Sequence, residues 1–222
     1  MMLTRPIRSL APWLAAAVLA LAPCVHAQTQ TPPGVQPGAG AALERLSAWE
    51  RQDRGVAAPQ GLHEGPLHGP TPTRLPGGQV ITTQGLMALL QQAGLPVFVF
   101  DVLGSAAALP NAIPAAWAAQ GGSFDDGTQQ QMAQMLRQVT RGQSNAPLVF
   151  YCQGPECWMS YNAAARAVRL GYRNVLWYRG GLEAWQGAGL PLARAGATAQ
   201  PVGARPPGAL PPDAFGPGAA GR

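Results

Sequence analysis

The chain contains no lysine: all fifteen of its basic residues are arginine. Both cations solvate a surface about equally well, so this absence reads as compositional bias before it reads as chemistry. Charge is also too thin to define a partner. Once Arg5 and Arg8 are set aside with the leader described below, thirteen arginines face ten acidic residues. That excess is too weak and too dispersed for a nucleic-acid-binding face. Cysteine is nearly absent, with Cys24, Cys152 and Cys157 the full set. Beyond the N-terminus no apolar run has the length of a membrane span. Apolar residues nevertheless make up 47% of the chain, enough for an ordinary core.

What the sequence has in plenty is glycine and proline, 28 and 23 residues, gathered toward the two ends. Residues 1–27 read as a cleaved signal peptide. Arg5 and Arg8 supply a positive start, "LAPWLAAAVLALAPC" a short apolar stretch, and "VHA" the small residues of a cleavage site ending at Ala27. Pro23 before Cys24 argues against a lipid-anchor signal. The mature protein is therefore expected to be soluble and periplasmic, where Cys152 and Cys157 meet an oxidising environment. Residues 28–75 read as a Pro/Gly-rich linker holding one short helix around Leu43, Leu46 and Trp49. The stretch "VAAPQGLHEGPLHGPTPTRLPGG" should run extended over the domain surface. From residue 194 to 222 no periodicity survives, which predicts a disordered tail.

Between these ends, strands and helices alternate. "QVITT" reads as a strand, followed by a helix capped at Thr82 or Thr83 and stopped by Gly94. "PVFVFDVL" and "APLVFYC" are continuous apolar runs, the mark of strands buried on both faces of a parallel sheet. A loop and a helix over "FDDGTQQQMAQMLRQVTRGQ" separate them. "SYNAAARAVRLGY" is a third helix, "NVLWYRGG" a strand and "LEAWQGAG" a short helix. This order defines an α/β domain over residues 76–193 with a mostly parallel sheet.

In such a sheet ligands bind outside the carboxyl ends of the strands. Cys152 stands at one of those ends, and the next helix begins near Trp158 to Ser160. The free N–H groups and dipole of a helix start favour a thiolate there. The plain alternative is a small buried residue closing a strand.

The series "VFVFDVL", "LPNAIPAAW", "LVFYC" and "SYNAAARAVRLGYRNVLWYRGGLEAWQGAGLPL" resembles the rhodanese-like family over about residues 78–192. The resemblance implies a three-layer α/β sandwich, a mostly parallel central sheet flanked by helices, with disordered termini outside it. "FYCQGPECWMSYNAAARA", with "GPTPTRLPGGQVITT" upstream, resembles a narrower exported branch, the CXXCW-motif proteins associated with pyrroloquinoline-quinone-dependent catabolism. Cys152 then takes the position of the persulfide-carrying nucleophile. Gln153, Gly154, Pro155, Glu156, Cys157, Trp158, Met159 and Ser160 form the loop around it, with backbone N–H groups as a cradle, and Asp101 is a supporting residue at the neighbouring strand end.

The chain departs from the family where anions are bound. Cys157 and Trp158 occupy the positions where related loops carry arginine, and Leu103 replaces the arginine of the "DVR" motif. Pro155 lacks an N–H, and Glu156 adds a negative charge. Thiosulfate should bind poorly, and phosphatase chemistry, which needs a bidentate arginine, is excluded.

Four readings of the two cysteines stay open. They are thiol–disulfide exchange, persulfide transfer at Cys152 modulated by Cys157, a structural disulfide in a non-catalytic binding or accessory module, and a metal site. A bridge requires Cα atoms within about 7 Å. His63 and His68 could complete a Cys2His2 set, but nothing in the sequence brings them to the loop. They read as solvated histidines, and neither a metal nor a cofactor is expected. Trp158 reads as a core aromatic before a lid, Trp177, Tyr178 and Trp185 as packing, and Arg166 and Arg169 as solvated helix arginines. The expected partner is a small sulfur or thiol substrate or a periplasmic protein, including a pyrroloquinoline-quinone-dependent dehydrogenase system.

Overall fold

Strong apolar runs separated by capped helices set the architecture. The computed structural model describes residues 39–196. Segments 1–38 and 197–222, which hold the expected signal peptide, the start of the linker and most of the tail, lie outside the described residues. In chain order the elements are helix α1 (Ala39–Glu50), strand β1 (Gln79–Val80), α2 (Thr83–Leu90), β2 (Phe98–Asp101), β3 (Ala107–Ala108), β4 (Ile113–Pro114), a 3-10 turn (Ala116–Ala119), α3 (Gly127–Thr140), β5 (Leu148–Tyr151), α4 (Met159–Arg169), β6 (Val175–Tyr178), α5 (Gly181–Gly187) and β7 (Ala193–Arg194). Among the described residues no helix is long and apolar enough to cross a membrane.

The main sheet runs β1-β6-β5-β2-β4, with every pairing parallel. β2, β5 and β6 are buried at every residue, as their unbroken apolar sequences require. Alternation then sorts their side chains. Phe98, Phe100, Leu148, Phe150, Val175 and Trp177 face one layer, with Met132, Leu136, Ala163, Ala164 and Ala167 from α3 and α4. Val99, Val149, Tyr151, Leu176 and Tyr178 face the other, with Leu86 of α2 and Leu182 and Trp185 of α5. Each large side chain fully buried this way contributes about 1.5–3 kcal/mol over exposure. The expected three-layer α/β sandwich is thus observed.

Local chemistry fixes the helix ends. Thr82 caps α2 by accepting from Gly85 N at 3.3 Å, and Asp126 caps α3 by accepting from Gln129 N at 2.7 Å. The stretch expected as one loop before α3 holds β3, β4 and the 3-10 turn. β3 pairs antiparallel with β7, so Arg194 lies opposite Ala107 instead of opening a tail.

The segment before the domain is more ordered than a linker. Residues 51–75 contain no helix and pass over the domain as expected, yet they form a packed strap, with Leu62, Thr71 and Leu75 buried. The reason is polar. Arg179, buried just after β6, donates to Thr71 Oγ1 (2.9 Å), Thr71 O (3.0 Å), Glu50 O (2.6 Å) and Gln52 O (3.1 Å). The Glu50 carboxylate in turn receives Thr83 N and Thr83 Oγ1, each at 2.8 Å. Pro/Gly composition rules out a regular element, but it does not prevent a chain from filling its hydrogen bonds on fixed partners.

Candidate functional site

β5 is the middle strand of the sheet, so the residue after it lies at the centre of the carboxyl edge. That residue is Cys152. It forms a disulfide with Cys157 across a Cα–Cα distance of 6.3 Å, meeting the geometric condition for a bridge. Both cysteines are 1% exposed.

Two supports hold the loop from below. Leu182 N donates to Cys152 O at 3.0 Å and Glu183 N to Gln153 O at 2.9 Å. These bonds bring the start of α5 against the loop backbone, and Gly181 makes the approach feasible. Its φ is +58°, and a Cβ there would overlap the carbonyl oxygens of Cys152 and Gln153. On the other side, Ser160 Oγ lies 3.0 Å from Cys152 Sγ and accepts from Trp177 Nε1, also at 3.0 Å. Ser160 and Trp177 are both buried.

The strap covers the loop from above. Trp158 N donates to Leu67 O (2.9 Å), Gly69 N to Glu156 O (2.8 Å), and Thr71 N and Oγ1 to Pro155 O (3.2 and 2.7 Å). His68 forms an antiparallel bridge with Cys157. Arg54 pairs with Glu156. The His63 ring stacks on Trp158, centroids 3.9 Å apart and planes 8° apart, while His63 N donates to Asn162 Oδ1 at 2.8 Å. The strap thus carries both histidines to the loop, against expectation, and His63 is half-buried on Trp158, whereas His68 is exposed as expected. Trp158 is a packed core aromatic, edge-on to Tyr161 at 5.1 Å, and Tyr161 is edge-on to Trp177 at 5.2 Å. Burial pushes the Tyr161 hydroxyl up to about 12.

The N–H groups expected as a cradle are fewer than the loop's length suggests. Pro155 has no N–H, Cys157 N donates to Gly154 O at 3.1 Å, and Trp158 N is taken by the strap. Beside the loop lies a shallow cleft of about 370 Å³, lined by His68, Gly69, Gln153, Gly154, Glu156 and Glu183. It presents two carboxylates and no arginine, so it offers an anionic sulfur donor no countercharge. Gln153 is exposed and donates to Glu183 Oε1 at 3.3 Å, and Met159 is half-buried against the core.

Asp101 closes its own strand end. Its Oδ1 accepts from Leu103 N (2.9 Å) and Gly104 N (3.2 Å), a strand-end turn, and burial raises its carboxyl above the ordinary value against those bonds. Arg166 is another correction. It is fully buried and meets Asp126 through two 2.8 Å bonds, holding the segment before α3. Arg169 lies over the Phe124 ring. Among the described residues no group of three His, Cys, Asp or Glu side chains is arranged to hold a metal.

Sequence reasoning missed the strap contacts, Arg179 and the Trp177–Ser160 bond. Only the last had a signal, since Trp177 pairs in register with Phe150, two residues before Cys152.

The fold, the central strand ending in cysteine and the loop wrapped against a helix start define a sulfur-transfer type of scaffold. The rhodanese-like domain family matches residues 83–188, and this part of the chain is a rhodanese-like domain. α1 and the strap lie outside the matched residues. No curated protein matches the chain.

Proposed function

We propose that this chain is an exported thiol–disulfide protein on a rhodanese-like scaffold, with Cys152 the nucleophile and Cys157 its resolving partner. The observation that carries the reading is the disulfide at the end of β5 with the Ser160 hydroxyl on the Cys152 sulfur. In the reduced protein the Cys152 thiolate attacks one sulfur of a disulfide substrate, and that S–S bond breaks, releasing the first half as a thiolate. The Cys157 thiolate then attacks Cys152 Sγ and displaces the second half. The substrate gains two electrons, the pair loses two, and an external thiol or dithiol resets it.

The same proximity weighs against storing sulfur. A persulfide on Cys152 would lie within reach of Cys157, which would displace hydrosulfide and close the same bond. The missing loop arginine and the two carboxylates of the cleft oppose thiosulfate as donor. Export rests on residues 1–27. An accessory place beside pyrroloquinoline-quinone-dependent alcohol oxidation, including a dehydrogenase partner, rests on the loop sequence alone. Cys152 and Cys157 are separated by four residues rather than the two that name the CXXCW motif.

A second reading, a non-catalytic module with a structural disulfide, is favoured by the burial of both sulfurs beneath the strap. Equilibration of the native protein in graded glutathione buffers, followed by alkylation and mass measurement, separates the two. The exchange reading expects a reversible two-electron transition with circular dichroism unchanged. Reduction only when the fold is lost would leave the structural module.

A further inference from the structure

The proposed exchange needs one cysteine to be the thiolate, and the two candidates stand in different surroundings. Cys157 meets the backbone of His68. Cys152 meets a hydroxyl whose orientation is restricted. An indole N–H can only donate, so Ser160 Oγ is bound to accept from Trp177. A serine hydroxyl has one proton to give. The carbonyl four residues back, where a serine inside a helix commonly donates, belongs to Glu156, in the loop before α4 starts at Met159. Cys152 Sγ remains at 3.0 Å. That sulfur also lies 3.3 Å from Cys157 O, an acceptor, so the Ser160 hydroxyl is the proton donor this corner supplies.

We propose that Trp177 is a positioning residue for Cys152: by holding the Ser160 oxygen, it aims the hydroxyl at Cys152 Sγ and so selects Cys152 over Cys157 as the thiolate. The inference rests on the exchange reading and adds the origin of its polarity. Removing the Ser160 hydroxyl deletes the hydrogen bond to the charged sulfur. Removing the indole N–H leaves the hydroxyl free to turn elsewhere, so its effect is smaller and in the same direction. A dry site makes both effects larger than they would be in water.

The test uses Cys157→Ser, which leaves Cys152 as the single thiol of the pair, and reads the rate of alkylation by iodoacetamide against pH. Several ionisable groups surround the loop and would shape any such profile. They are His63, His68 and Arg54 on the strap, Glu156 in the loop, Glu183 on α5, Asp101 at the end of β2 and Arg179 after β6. All are retained in each variant, so a difference between variants reports the Trp177–Ser160 arrangement. Adding Ser160→Ala should raise the alkylation midpoint by about one pH unit, and adding Trp177→Phe instead should raise it by about half a unit. Because loss of a buried tryptophan can unfold the domain, the indole N–H resonance of Trp177 gives a second readout without that substitution. It should shift through the same pH midpoint as alkylation. An unchanged midpoint in folded Trp177→Phe, or an indole resonance that stays still through the titration, overturns the inference while leaving Cys152 reactive. Failure of Cys152 to alkylate at any pH in the folded Cys157→Ser protein removes the exchange reading, and this inference with it.

Discussion

The domain and the strap laid over it are held by different physics. The domain is built from periodic apolar burial, in which Phe150 or Leu136 is one of many large side chains packed on a sheet face. The strap has few such anchors and is held by directed polar contacts: Arg179 on Thr71, Glu50 O and Gln52 O, Gly69 and Thr71 on the loop carbonyls, and the His63–Trp158 stack. Burial is cooperative and spread out, whereas hooks are local and separable. Several of the strap's hooks converge on the loop that holds the disulfide, so the least regular part of the described chain lies over its most chemically distinctive bond.

Phe150→Ala should break the first region. A cavity under the central strand costs about 3–5 kcal/mol and should lower Tm for the whole molecule in one transition. Arg179→Ala should break the second. The carbonyls of Glu50, Gln52 and Thr71 lose a buried cationic donor at a cost of about 3 kcal/mol. Limited proteolysis should then cut within residues 51–75 before the domain unfolds. Cleavage no earlier than in wild type would mean that the strap and the domain form a single cooperative unit.

Two carboxylates, Asp126 in the domain and Glu50 at the end of α1 where the strap begins, should answer pH with opposite signs. Hydrogen bonds from Arg166 hold Asp126 below the ordinary carboxyl range. Its contribution to stability is full above the unfolded value, about 3.9, and is lost as pH falls through the folded one. Burial holds Glu50 above its ordinary value, outweighing the bonds from Thr83. Its contribution is full below the unfolded value, about 4.3, and is lost as pH rises through the folded one. In Tm measured across acid to neutral pH, Asp126→Asn should flatten the acid-side loss and Glu50→Gln the loss on the rising side. The same slope in both variants would contradict the assignment.

What could be read from the sequence divides along the same line. β2, β5 and β6, the cap at Thr82 and the position of Cys152 were all visible, because apolar runs and capping residues act locally. β3 and β4 were not, since two residues of alanine, isoleucine or proline carry no side-chain pattern and only backbone pairing defines them. Arg166 was expected in solvent because its partner Asp126 is forty residues away. The strap's composition excluded a helix or strand but is silent about backbone bonds to residues some ninety positions on, such as Gly69 to Glu156.

The smallest effect belongs to Arg54→Ala. Glu156 is 61% exposed at its side chain, so loss of this pair should cost less than about 1 kcal/mol and speed reduction of the disulfide by dithiothreitol no more than about fivefold. A larger acceleration would make Arg54, rather than Arg179 and the backbone bonds, the main fastening of the strap.

The most direct test of the central claim is the reaction of the folded Cys157→Ser protein with dithiodipyridine near neutral pH. Attack by Cys152 should release one equivalent of thiopyridone and leave a mixed disulfide at Cys152 that persists, because its resolving partner is gone. Mass measurement of the peptide places the adduct. No release until the protein is denatured would contradict the account and identify Cys152–Cys157 as a structural bond.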